Sequence, residues 1–118
     1  MNSKLSDIEL VLQMELEEAQ HSRLQGNEGR VRVCARRAAG WAVGWYVEPH
    51  SLAEPHTNAL EHLKWLAKSS DVSNELREAA IRLTTKVDKD GKLPFREDPI
   101  TDAHLIITAL LGINLQNP

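Results

Sequence analysis

The sequence has little of what small secreted proteins and membrane proteins depend on. Its single cysteine excludes an internal disulfide framework, so nothing indicates secretion. No apolar run approaches the roughly 20 residues that a membrane-spanning helix needs, since the longest, residues 38–47, is about half that length. Residues 1–20 are acidic and amphipathic, unlike a signal peptide. We therefore expect a cytoplasmic protein with no membrane contact.

A surplus of positive charge is also missing. The formal net charge is −3, which does not support a general attraction to nucleic acid, so any such binding has to come from a local patch. The 118 residues suffice for one domain with its own core, and we expect a single helical domain over residues 1–118.

Apolar residues recur at intervals of three and four through five segments, and no segment alternates convincingly with period two. Ser6 and Glu9 have the spacing of a capping box that opens the first helix, and residues 26–27 (Gly-Asn) indicate the turn into the second. We predict an all-α fold, an antiparallel up-and-down bundle of four to five helices. The alternative, an α-solenoid, needs a repeat that is not visible. The later helices are predicted at residues 28–48, 58–68 (capped by Thr57), 72–87 and 100–111 (opened by Asp98 and Pro99).

Residues 30–47, which read RVRVCARRAAGWAVGWYV, form the strongest helix candidate and divide into two parts. In the second part, Gly40 and Gly44 are four residues apart among small residues, a spacing that lets another helix approach closely. Each glycine costs a helix about 1 kcal/mol relative to alanine, so a close contact should offset that cost. This small-residue groove predicts core packing beside Trp41 and Trp45, and it is also the candidate interface of a homodimer.

The first part of this segment concentrates positive charge at the start of a helix, where the helix dipole favours acids instead. One interpretation is that the cations pair with glutamates between residues 15 and 18, near the end of the first helix. The other is an anionic ligand, whether a nucleotide phosphate, RNA or an acidic partner. No glycine-rich phosphate loop after a strand is present. The candidate ligand-binding residues are Arg30, Arg32, Arg36 and Arg37.

Signals for metal binding and nucleophilic catalysis are weak. No two of the five histidines lie one helical turn apart, although His50 and His56 share a loop with Glu54. Cys34 falls on an apolar helix position, which favours a buried residue over a nucleophile. Residues 86–97 follow part of the calcium-loop spacing, but Lys86 stands where the first carboxylate ligand belongs, so we expect a turn. We expect no metal and no cofactor.

A helical bundle with an arginine-bearing second helix resembles the HEPN superfamily of bacterial and archaeal proteins, which includes nucleotidyltransferase-substrate-binding-like helical proteins. The residues that carry the resemblance are 29–47 (GRVRVCARRAAGWAVGWYV) and 98–111 (DPITDAHLIITALL). The resemblance implies a homodimer, binding of nucleotides or RNA, and pairing with a small nucleotidyltransferase.

Catalytic members of that superfamily look like metal-independent ribonucleases with an arginine and a histidine separated by four to six residues. Here Arg96 and His104 are separated by seven, so the motif is absent as written. The expected function is a non-catalytic binding and dimerisation module, accessory to a nucleotidyltransferase or toxin–antitoxin-type system. One alternative is a small ribonuclease in which His104 acts as acid or base and Arg96 stabilises the developing charge. Another is a purely structural oligomeric subunit.

Overall fold

The computed structural model describes residues 3–48 and 59–115, with side chains from residue 7 onward. Within these ranges the chain forms five α-helices and no strand, so the predicted all-α bundle is confirmed. None of the described helices is both long and apolar enough to cross a bilayer. The helices are α1 (Ser3–Leu24), α2 (Glu28–Val47), α3 (Ala59–Lys68), α4 (Asn74–Thr84) and α5 (Pro99–Leu111).

Local capping chemistry sets the start of α2 where the sequence predicts it. Gly26 has a φ of 76°, a left-handed conformation that glycine adopts without a steric penalty, and it ends α1. The Asn27 side chain then accepts a hydrogen bond from the Arg30 N–H at 3.0 Å. The start of α1 differs from its prediction. The helix begins at Ser3 rather than Ser6, so Ser6 lies inside the helix and the predicted capping box does not open it.

The later helices follow the predicted pattern with shorter ends. Ser73 caps α4, which ends at Thr84 instead of reaching residue 87, because Thr85 adopts an extended conformation. Asp98 caps α5 by accepting a hydrogen bond from the Thr101 N–H at 3.3 Å, as the sequence predicts. The predicted cap Thr57 lies outside the described residues.

Helix α2 is the centre of the bundle and packs against α1, α3 and α5, while α4 closes over α3 and α5. Trp41 and Trp45 are both buried, which confirms the predicted packing role of the second half of α2. The largest fully buried side chains of the other helices include Leu12, Leu63 and Ile106. Burial of apolar side chains of this size typically contributes about 1.5–3 kcal/mol each, so the core around α2 holds the five helices in place.

The two glycines of α2 mark the contact with α3. A Cβ at Gly40 would overlap the backbone of Ala59, and one at Gly44 would lie 2.8 Å from Nε2 of His62. Gly40 meets Ala59 and Gly44 meets His62, so residue numbers rise in the same direction along both helices, and α2 and α3 run parallel here. Helix α1, in contrast, runs antiparallel to α2, as predicted. The small-residue groove is therefore filled by α3 of the same chain. Gly40 and Gly44 are not presented to a second copy, and a homodimer needs another surface.

Candidate functional site

The four arginines of α2 separate onto two faces of the helix. Arg30 and Arg37 face α1: Arg30 Nε donates to Glu18 at 3.1 Å, and Arg37 donates through Nη2 and Nε to one oxygen of Glu15 at 2.6 and 3.0 Å. Burial alone would lower the pKa of Arg37, but the hydrogen bonds and charge of Glu15 raise it overall. Neutralisation by α1, one of the two interpretations of the sequence, is therefore the arrangement of these two arginines.

The Arg37 pair lies deeper in the structure, and we expect it to matter more for stability. The Glu15 side chain is 16% exposed, so Arg37→Met leaves a largely buried carboxylate unpaired and should lower the free energy of unfolding by about 2 kcal/mol. The matched change Arg30→Met removes a more exposed pair and should cost about 1 kcal/mol or less. Urea denaturation of the two variants measures the difference. Equal losses would show that the Arg37–Glu15 pair contributes no more to stability than the Arg30–Glu18 pair does.

Arg32 and Arg36 lie on the other face of α2 and contact the end of α4. Arg32 Nη2 donates to the backbone oxygen of Thr85 at 2.6 Å, and Arg36 Nε donates to that of Leu83 at 3.1 Å. The last carbonyls of a helix have no partner within it, so these cations satisfy exposed acceptors and complement the helix dipole. Each guanidinium has five N–H donors, and these contacts use one nitrogen of each. Both arginines are therefore fixed in place while keeping donors for a ligand.

Beside these donors is an open pocket with a volume of about 410 Å³, which we call the basic pocket. Its volume falls within the range of about 300–1,000 Å³ that is typical of small-molecule sites. It lies where α2 begins and α4 has just ended, because the antiparallel arrangement of these helices brings Lys86 close to the first turn of α2. The residues that line it are Gly29, Arg32, Arg36, Lys86 and Val87.

Within the described part of the chain, no carboxylate forms an ion pair with Arg32, Arg36 or Lys86. Two acids are adjacent in sequence to residues of the pocket. Glu28 is bound by Arg23 at 3.1 and 3.2 Å, and Asp88 Oδ1 accepts the backbone N–H groups of Asp90 and Lys92 at 2.9 and 2.8 Å. Burial, and after it the neighbouring charge of Arg36, lowers the pKa of Arg32. The pocket can therefore attract and bind an anion.

The structure does not join the two residues of the ribonuclease alternative. Arg96 is exposed, His104 is half-buried on α5, and no hydrogen bond or ion pair connects them among the described residues. Nε2 of His104 is buried without a hydrogen-bond partner, and burial lowers the pKa of the imidazole. The buried Nε2 is therefore closed to a substrate in this arrangement.

Cys34 is buried, as the sequence predicts. Burial, followed by the charge of Glu15, raises the pKa of its thiol, so less of the reactive thiolate forms.

In the part of the chain that the structure describes, no three His, Cys, Asp or Glu side chains gather into a metal-binding group. The candidate loop with His50, Glu54 and His56 lies outside the described residues. Residues 86–97, which follow part of the calcium-loop spacing, contain the predicted turn, in which the Gly91 N–H donates to the Asp88 carbonyl at 2.9 Å.

Two features of this end of the bundle are not evident from the sequence. Lys86 stands in the sequence only as a residue that does not fit a calcium loop, yet it lines the basic pocket. It falls in the last turn of the predicted fourth helix, where the sequence does not indicate a site, and it comes after the observed end of α4 at Thr84. The second feature is the ion pair of Arg82 with the buried Asp102, which joins α4 to α5. Asp102 gave no signal in the sequence, because a carboxylate in the first turn of a helix is normally explained by the helix dipole.

Comparisons with protein-family models, with curated proteins and with solved structures find no match. The resemblance of residues 29–47 and 98–111 to the HEPN superfamily therefore stays an expectation from the sequence. Any function for the basic pocket has to be argued from its own geometry and charge.

Proposed function

We propose that this protein is a non-catalytic helical binding module that takes a phosphate-bearing ligand in the basic pocket. The observation that carries the proposal is the grouping of Arg32, Arg36 and Lys86 around one open pocket without a carboxylate to neutralise them. On the other face of α2, Arg37 is neutralised by Glu15. The pocket departs from that pattern, and its positive charge favours an anionic ligand.

The arginines of the pocket are suited to phosphate because their positions are already fixed. The carbonyl oxygens of Leu83 and Thr85 hold Arg36 and Arg32, so binding requires little ordering of these long side chains. Preorganisation of this kind raises affinity by reducing the entropy lost on binding. A planar guanidinium also presents paired N–H groups that match the spacing of phosphate oxygens. Nucleotides and RNA, the ligands expected from the sequence, both carry such groups.

The wider expectations from the sequence belong to the same proposal. They are a homodimer, a nucleotidyltransferase or toxin–antitoxin-type partner, and a cytoplasmic location. The dimer would use a surface other than Gly40 and Gly44, which contact α3 within the chain.

Removing Arg36 tests the proposal. In a backbone-amide NMR titration with inorganic phosphate at low ionic strength, Arg36→Met should weaken binding by about ten-fold or more, since a hydrogen bond to a charged group contributes about 1.5–3 kcal/mol. Arg30→Met removes the same charge from the same helix but outside the pocket, and it should leave the affinity within about two-fold. Thermal denaturation checks that both variants fold. An absence of saturable binding to the unmodified protein, or equal losses in both variants, would contradict the proposal.

A further inference from the structure

The basic pocket holds more positive charge than a single phosphate group neutralises. Two arginines and one lysine line it, and the ion pairs recorded for the described chain give none of the three a carboxylate. A phosphate monoester carries a charge of about −1.5 to −2 at neutral pH. One such group would leave part of the charge on the pocket unmatched, and a second phosphate group would complete the balance.

The three cations are arranged in two parts that come from different elements. Arg32 and Arg36 are one turn apart on the same face of α2, and backbone carbonyls hold both of them. Lys86 comes from the segment after α4 and carries three donors on a flexible stem. A fixed arginine pair can orient one phosphate group, while the lysine adapts its position to another. The pocket volume of about 410 Å³ suits a small molecule rather than a lone ion.

We infer that the basic pocket takes a diphosphate group, with one phosphate on Arg32 and Arg36 and the second on Lys86. The inference rests on the proposed function and narrows its ligand from any phosphate-bearing molecule to one with two linked phosphates. Free pyrophosphate and a nucleoside diphosphate share this chemistry. Val87, which is half-exposed at the pocket, gives a nucleoside an apolar surface that pyrophosphate does not use.

The test compares inorganic phosphate, pyrophosphate and ADP on the full chain, with EDTA present so that no metal ion binds the phosphates. Pyrophosphate should bind about ten-fold more tightly than phosphate, because Lys86 adds a charged hydrogen bond to the second group. Lys86→Met should remove most of that advantage, because it should weaken pyrophosphate binding much more than phosphate binding. Lys89→Met is the matched control, since Lys89 is exposed in the same segment but does not line the pocket, and it should preserve the advantage.

The outcomes separate this inference from the proposed function. Equal affinities for phosphate and pyrophosphate, at a site that Arg36→Met removes, would overturn the diphosphate inference and leave the proposed function standing. Binding of neither anion would overturn both. A Lys86→Met variant that loses affinity for phosphate and for pyrophosphate in the same proportion would also overturn the two-part arrangement.

The same titrations identify the source of the ligand. Tighter binding of a short single-stranded RNA than of either diphosphate would overturn the inference and show that the pocket takes a polymer instead. If pyrophosphate is preferred to phosphate, ADP binding tighter than pyrophosphate identifies a nucleoside diphosphate as the source, and equal binding identifies the diphosphate group alone.

Discussion

Replacing Asp102 with asparagine is expected to lower the free energy of unfolding by about 3–5 kcal/mol, the cost typical of removing one partner from a buried ion pair. Asp102 is 3% exposed and accepts hydrogen bonds from Arg82 at 2.8 and 3.0 Å. These hydrogen bonds are the main reason that the pKa of Arg82 is raised. Asparagine keeps the size of the side chain but not the charge, so the largely buried guanidinium of Arg82 loses its counterion.

A matched variant uses the second acid beside Arg82. Glu97 lies 3.9 Å from Arg82 and its side chain is 52% exposed, so Glu97→Gln should lower stability by about 0.5 kcal/mol or less. Urea denaturation of both variants, with comparison of midpoints and slopes, measures the two effects. A small and equal loss in both would mean that the pair between α4 and α5 does not hold these helices together.

Replacing Gly40 with alanine is expected to destabilise the protein by about 2–3 kcal/mol, although the same change in a helix normally stabilises by about 1 kcal/mol. The added Cβ would overlap the carbonyl oxygen and Cα of Ala59. A backbone neighbour cannot rotate away, so α3 would have to move from α2. The loss should appear as a lower midpoint in thermal or urea denaturation.

Gly44→Ala provides the control one turn further along the same helix. Here the added Cβ would meet the ring of His62 at 2.8 Å, and a side chain can turn aside. The gain in helix propensity should offset most of that adjustment, leaving stability within about 1 kcal/mol of the unmodified protein. If Gly40→Ala is instead neutral and abolishes a dimer in size-exclusion chromatography, the groove belongs to a second copy rather than to α3.

The arginine cluster shows what the sequence could and could not predict about the site. Arg30 and Arg37 are seven residues apart, about two helical turns, so they share a face, whereas Arg32 and Arg36 share another. The spacing alone therefore indicates two pairs of arginines rather than one cluster of four. The pairing of arginines with acids of α1 was one of the two interpretations of the sequence. The contact of Arg32 and Arg36 with α4 was not predictable, because the packing of α4 against α2 is set by contacts distant in sequence.

For the fold, too, local features were predictable from the sequence and contacts between distant segments were not. The start of α2 at Asn27 and the start of α5 at Asp98 were predictable, since a cap acts on backbone groups three residues away. Gly40 and Gly44 correctly indicated a close helix contact but not its partner. Ala59 and His62 occupy that place through long-range packing, for which the local pattern carries no information.

The basic pocket is proposed to bind phosphate through one face of α2. The most direct measurement is an NMR titration of the full chain with pyrophosphate that follows the arginine Nε–H signals and the Gly29 amide. We predict saturable shifts with one dissociation constant at Arg32, Arg36 and Gly29, and none at Arg30 and Arg37, whose guanidinium groups are paired with α1. Shifts confined to Arg30 and Arg37, or no saturable shift at any arginine, would contradict the claim.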